Sequence, residues 1–327
     1  MSVTAAGPDS TTAFASQRGD RTRLMLFAPV AVFGVFLAVA AASTSGFLTT
    51  GNLKSVLLSS AFVGIIAVGM TPITIGGNLF SLSLGVTAAV CAMAFTYFLR
   101  LGFGEAIVLA LAIGGLACGL QGWLVGALGA NPIIVTIAAG LLQAAVATWI
   151  SGGTSVLAPK GASFHLLTSS PLGFAFPIYA FIGATVAVEI VLRRTRFGSE
   201  LYLVGDSKAA ARAAALNITR ITTGAFTISG ICAAGAGVLL ASTYNTATLN
   251  LQGTYSYDAI AAVLVGGNAV AGGRGSAIQS FLGALVIAAA TSIALLRGYS
   301  TGVQILIRGL ILLGVVVLLQ IATARSR

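Results

Sequence analysis

From Leu24 onward the chain keeps returning to uninterrupted apolar runs of membrane-spanning length. A helix needs about 20 apolar residues to cross the hydrocarbon core of a bilayer, and Leu24–Ser43 is the first run to reach that length. A signal peptide would carry a shorter apolar core followed by soluble sequence. Here more apolar runs follow, so this stretch is read as the first span. Further spans are expected at 55–75, 81–99, 104–128, 133–151, 171–192, 223–243, 257–272, 276–296 and 302–321, ten in all. Backbone polar groups inside a bilayer must be satisfied within the protein, which helices do segment by segment. The expected fold is an all-α polytopic membrane protein of about ten transmembrane helices. Charge content agrees: only 7% of the 327 residues are charged, against about a quarter in a soluble domain.

Two features suggest helices broken around a central pathway. The second and third spans are separated only by Gly76, Gly77, Asn78, Leu79 and Phe80, and the eighth is short and ends in a Gly-rich stretch. Irregular backbone survives at membrane depth only beside protein or water, and transporters place such breaks at their binding sites.

The net charge of +10 would suit nucleic acid, but the placement of the basic residues argues otherwise. With residues 1–23 as a disordered cytoplasmic tail, twelve basic residues fall on the cytoplasmic side: Arg18, Arg21, Arg23, Arg193, Arg194, Arg196, Lys208, Arg212, Arg220, Arg274, Arg325 and Arg327. Four fall outside (Lys54, Arg100, Lys160 and Arg297), and Arg308 lies within the last span. That asymmetry is the positive-inside pattern. No basic stripe is interleaved with aromatics, so a nucleic-acid partner is not expected. Both termini, including the tail 323–327, are expected in the cytoplasm.

Several chemistries lack their residues. Cys91, Cys118 and Cys232 form no C-x-x-C pair and the one His, His165, has no neighbouring carboxylate, so neither a metal site nor a catalytic triad is expected. The Walker pattern requires Gly before its Lys, whereas the three lysines follow Leu53, Pro159 and Ser207. The chain is expected to be no enzyme and to hold no cofactor of its own. An ion-coupled carrier usually places carboxylates within the membrane. Glu189 is read as a structural partner of Arg193, and Asp258 as lying near the outer start of the eighth span; no acid is assigned to the midplane.

One long polar segment interrupts the spans on the cytoplasmic side, 193–222. Its stretch Ser207–Leu216 is rich in strong helix formers, with Asp206 and Ser207 as candidate N-caps. Small side chains along it would let a partner's groove close on the helix; a solvated connector without a partner is the other reading.

These residues carry a resemblance. R-T-R-F-G (Arg194–Gly198) followed by V-G-D-S-K-A-A-A-R-A-A-A-L (Val204–Leu216) resembles the cytoplasmic coupling segment of ribose-type ABC-transporter permeases. G-I-I-A-V-G-M-T (Gly64–Thr71), S-L-S-L-G (Ser81–Gly85), N-P-I-I-V-T-I (Asn131–Ile137) and Y-D-A-I-A-A-V-L-V-G-G-N-A-V-A-G-G-R-G-S (Tyr257–Ser276) match that family in order. The resemblance covers about residues 24–322 and implies a permease subunit of a bacterial inner-membrane importer for a sugar or similar small polar solute. It further implies a second permease subunit, an extracytoplasmic solute-binding protein, and a partner ATPase that binds ATP and Mg. The family would place ATPase coupling on Ser207, Lys208, Ala210, Ala211, Arg212, Ala214 and Ala215. The chain departs from the family pattern in three places. Ser81 stands where an Asp is usual, Lys208 and Ala209 where acids are usual, and Ala215 where a Gly is usual.

Candidate pathway residues follow from the breaks. Asn78, Ser81 and Ser83 either hydrogen-bond a solute or satisfy the backbone freed at Gly76–Gly77. Tyr255, Tyr257 and Asp258 either line the outer mouth or serve as interfacial belt and helix cap. Outer loop 152–170, with Pro159, Lys160 and His165, offers a surface for the binding protein. Arg274 sits between Gly273 and Gly275 as a lipid or loop anchor, and Arg308 either snorkels or pairs within the bundle.

Overall fold

The computed structural model describes Thr44, residues 46–158, Leu167, residues 169–170, 173–249 and 252–324. The first expected span, the N-terminal tail, residues 325–327, Pro159, Lys160 and His165 lie outside the described residues. The elements in chain order are α1 (Thr50–Ile75), α2 (Leu84–Phe98), α3 (Phe103–Leu128), α4 (Pro132–Ser151), β1 (Val156–Leu157) and α5 (Phe176–Arg194). They continue with α6 (Arg196–Asp206), α7 (Lys208–Ala213), α8 (Ile218–Tyr244), β2 (Thr246–Ala247), α9 (Gln252–Val265), α10 (Ala277–Leu296) and α11 (Thr301–Ala324). Six of these helices, α1, α3, α4, α5, α8 and α10, are long and apolar enough to cross a membrane. Apolar stretches in α2, α9 and α11 are shorter.

α1 is the central post. It is apolar on every side, and every residue from Ser60 to Ile75 is buried, as expected for a helix enclosed by others. α8, α10, α5 and α9 pack around it, while α8 also runs against α3 and α2. Small residues set the spacing, because lipid supplies no hydrophobic drive and close backbone packing must do the work. A Cβ on Gly230 would lie 2.2 Å from the Gly114 carbonyl, and one on Gly283 1.9 Å from that of Ala262. Phe181 of α5 fills the space left by Gly64 and stacks on Phe281 at 4.5 Å.

α4 is the exception. Only Thr136, Gly140 and Ala147 of its residues are buried, whereas Ile134, Leu141, Leu142, Trp149 and Ile150 are each more than half exposed. At one end of the bundle β1 and β2 pair antiparallel, Val156 with Ala247 and Leu157 with Thr246. They tie the loop after α4 to the one after α8.

Helix ends follow local chemistry. Thr49, Asn131, Thr195, Ser207, Asn217 and Ser276 each cap a helix through the side chain, satisfying amides that have no intrahelical partner. Glu189 pairs with Arg193 as expected. Its second oxygen also accepts from the Ala277 amide at 2.8 Å, so α5 supplies a carboxylate to the positive end of α10.

Candidate functional site

Two helices end in the same way, at the same tripeptide. After α1, the amides of Gly76, Gly77 and Asn78 donate to Pro72, Thr74 and Ile73 at 3.0, 3.0 and 3.3 Å. After α9, those of Gly266, Gly267 and Asn268 donate to Ala262, Leu264 and Val263 at 2.9, 2.9 and 3.3 Å. The second Gly is left-handed in both, at φ +69° and +89°, which glycine adopts without steric cost. Both asparagines are buried, but they work differently. Asn268 closes its own loop, accepting from the Ser276 amide at 2.9 Å and donating to Val263 and Ser280 at 3.1 and 2.9 Å. Asn78 instead accepts from Lys208 Nζ at 3.3 Å, and its amide nitrogen has no partner.

Lys208 belongs to the interspan segment, which is two helices rather than one. The Thr195 hydroxyl accepts from the Gly198 amide at 3.2 Å and starts α6. Ser207 then breaks the run in extended geometry (φ −156°, ψ 110°) and accepts from the Ala210 amide at 3.2 Å to start α7. The expected helix Ser207–Leu216 is thus cut to Lys208–Ala213, and a second helix precedes it. The segment turns back at Ala215, left-handed at φ +55°, where the family resemblance leads one to expect Gly. Ala211 is buried against the body of the chain, whereas Lys208, Ala210, Arg212, Ala214 and Ala215 are exposed.

Gly205 is the point where this segment meets the bundle. A Cβ there would fall 1.8 Å from the Ile75 carbonyl oxygen and 2.6 Å from the Gly273 amide nitrogen. The Gly273 amide itself donates to Ile75 at 2.8 Å. Three backbones therefore touch: the end of α1, the interspan segment, and the loop after α9. Tyr202, one turn earlier, donates to the Gly275 carbonyl at 2.7 Å. Burial raises its phenol pKa, so the proton needed for that bond is retained. Sequence reasoning passed over Gly205 because one glycine among 41 carries no local signal. The repeated G-G-N was legible and would have pointed to its two docking partners.

From Asn78 the chain runs non-helical to Ser83, with Leu79 left-handed at φ +57°. Hydroxyls and amides from three other elements hold this stretch and the start of α2. Ser83 donates to Gln121 of α3 at 2.7 Å and lies 3.1 Å from the Ser81 hydroxyl. The Leu82 amide donates to Thr136 of α4 at 3.3 Å, and the Gly85 amide to Ser256 of α9 at 2.9 Å. Thr87 donates to Gln143 of α4 at 2.9 Å. Beyond Gly85 lies a cavity of about 20 Å³ lined by small residues of α2 and α8 together with Tyr244 and Tyr255. Ser81 and Ser83 are brought together and sealed from solvent. Asn78 is directed to the interspan segment instead.

Asp258 does not cap a helix. It accepts from Arg308 Nη1 at 2.7 Å, with side-chain exposures of 10% and 22%. An acid does therefore lie within the bundle, already neutralised, and Arg308 pairs there rather than snorkelling. Tyr257 is exposed, as a belt residue would be.

Residues 52–316 match the model of a family described as branched-chain amino acid transport system, permease component. The autoinducer 2 import system permease protein LsrC of Enterobacter sp. (strain 638) is 34% identical over 306 residues, covering 91% of this chain and 86% of the relative. The L-arabinose ABC transporter permease protein AraH of Azospirillum brasilense is 30% identical over 315 residues, covering 95% and 92%. The ribose import permease protein RbsC of Escherichia coli (strain K12) is 26% identical over 290 residues, covering 85% and 88%. No solved structure matches the chain.

Proposed function

The chain belongs to the family of branched-chain amino acid transport system permease components, and we infer that it is the membrane-spanning subunit of a binding-protein-dependent ABC importer for a sugar or similar small polar solute. The observation that carries this reading is the three-way backbone junction at Gly205. A cytoplasmic ATPase that grips the exposed side of α7 moves α6 with it. Because Gly205 sits against Ile75 and Gly273 without an intervening side chain, that motion passes directly into the ends of α1 and α9. Lys208 carries it to Asn78 and so to the non-helical stretch that ends at α2.

On this reading α6, α7 and both termini face the cytoplasm, the chain crosses ten times including residues 24–43, and β1–β2 lies outside beside the surface met by the binding protein. The solute passes along the polar stretch around Ser81, Ser83, Gln121 and Thr87, and the small cavity beside Tyr244 and Tyr255 belongs to that path. A second permease subunit, identical or paralogous, covers the exposed apolar side of α4. The solute class follows from relatives named for autoinducer 2, L-arabinose and ribose. A stand-alone ion-coupled carrier would need a free acid in the membrane, and Asp258 is tied to Arg308.

The test is uptake into proteoliposomes holding the permease, its ATPase and its binding protein. Uptake of a radiolabelled sugar should require ATP and the binding protein together. Uptake by the permease alone, driven by an ion gradient, would overturn the reading.

A further inference from the structure

The end of α8 that follows the interspan segment carries a groove with no part in the junction. Its volume is about 690 Å³, within the range of ligand sites, and it opens sideways between α3, α6 and α8. Trp123, Phe197, Arg220, Thr223 and Thr227 line it. Two details mark it as more than a gap between helices. The Thr223 hydroxyl is buried without a hydrogen-bond partner, which a buried polar group rarely tolerates. Arg220 contributes an exposed cation that has no ion-pair partner among the described residues. Beyond the groove, an apolar surface continues on α3 and α8. Leu116 and Leu120 follow Trp123 along one side of α3, Ile231 continues the line on α8, and all three are exposed and apolar.

A cation and an orphan hydroxyl at one end, an indole beside them and an apolar track leading away match an amphiphile with an anionic head. We propose that this groove binds the phosphate of an anionic phospholipid from the leaflet on the interspan side, with its acyl chains along Leu116, Leu120 and Ile231. Arg220 pairs with the phosphate, the Thr223 hydroxyl donates to a phosphate oxygen, and Trp123 sits at headgroup depth, where indoles concentrate. The proposal rests on the membrane placement of the importer reading. It adds a lipid contact to Phe197, whose ring fills the space above Gly224 and thereby ties α6 to α8.

The test is native mass spectrometry of the full chain released from nanodiscs of phosphatidylcholine mixed with phosphatidylglycerol. Wild type should retain phosphatidylglycerol over phosphatidylcholine. Arg220→Gln should lower that preference roughly fivefold, the equivalent of about 1 kcal/mol per basic residue at the surface. Thr223→Val should lower it less, and Arg194→Gln, outside the groove, should leave it unchanged. Equal loss in Arg194→Gln would show diffuse surface charge and overturn the site. Displacement of the retained lipid by soluble glycerol 3-phosphate would make it a soluble-anion site and overturn the lipid assignment. No preference in a preparation that still performs ATP-dependent uptake would sink the groove while leaving the importer reading intact.

Discussion

Gly205→Ala adds one methyl group at the point where three backbones meet. Its carbon would lie 1.8 Å from the Ile75 oxygen and 2.6 Å from the Gly273 nitrogen. A carbon–oxygen contact relaxes at roughly 3.3 Å, so α6 must withdraw from α1 by about 1.5 Å. No side chain can absorb that shift, because both obstructing atoms are backbone. Overpacking of this kind costs about 1–3 kcal/mol. Loss of the 2.8 Å bond from the half-buried Gly273 amide to Ile75 would add about 0.5–1.5 kcal/mol. The assay is ATP hydrolysis by the reconstituted complex with and without loaded binding protein, beside thermal unfolding of the permease. The variant should be destabilised, and its ATPase should stay bound yet lose stimulation by the binding protein. Gly235→Ala is the control, since a Cβ there meets nothing within 4 Å and Ala is favoured over Gly in a helix by up to ~1 kcal/mol. Wild-type stability and stimulation in Gly205→Ala would refute the junction as a transmission point.

Other perturbations separate the parts of the account. Ala214→Glu places a charge on the exposed side of the interspan segment and should release the ATPase in co-purification with the permease fold unchanged, whereas Ala211→Glu, buried at 2% exposure, should unfold the segment itself. Ala215→Gly should raise the thermal midpoint, because relieving a left-handed non-glycine residue at φ +55° gains about 1 kcal/mol. Asp258→Asn should cost about 3–5 kcal/mol by stranding the Arg308 cation, with partial recovery in the Asp258→Asn, Arg308→Gln pair; a loss of transport at unchanged stability would instead give Asp258 a role in ion coupling. A reporter fused after Arg327 should be cytoplasmic and one inserted near Lys160 external, and finding both on one side would contradict the proposed orientation.

Local patterns in the sequence carried the helices well. Each expected span from 55–75 onward meets a helix, because apolar length and the Gly and Asn punctuation between runs are local properties. Ends shifted where capping chemistry was subtle: α9 stops at Val265 because the Gly266–Asn268 closure ends it before the expected boundary at 272. Ser207 was identified as a cap, yet the alanine content on either side obscured that it separates two helices. What stayed illegible was pairing at a distance. Asn78 finds Lys208 130 positions away and Asp258 finds Arg308 50 positions away, and no spacing rule reaches that far. Read alone, Asn78 had two open uses, a solute contact or satisfaction of the freed backbone, and neither includes the Lys208 contact that the fold supplies. Ser81 and Ser83 lie 3.1 Å apart at the break, and the bond from Ser83 to Gln121 is again tertiary.

The central claim is that motion of the ATPase enters through Gly205 and Lys208 and leaves through the stretch from Asn78 to Ser83. Hydrogen–deuterium exchange on the assembled importer, with ATP trapped and without nucleotide, reads both ends of that route at once. The account predicts that exchange changes together in residues 205–216 and in residues 76–85, and that Gly205→Ala keeps the first change while losing the second. A nucleotide-dependent change in 205–216 with none in 76–85 of the wild type would contradict it.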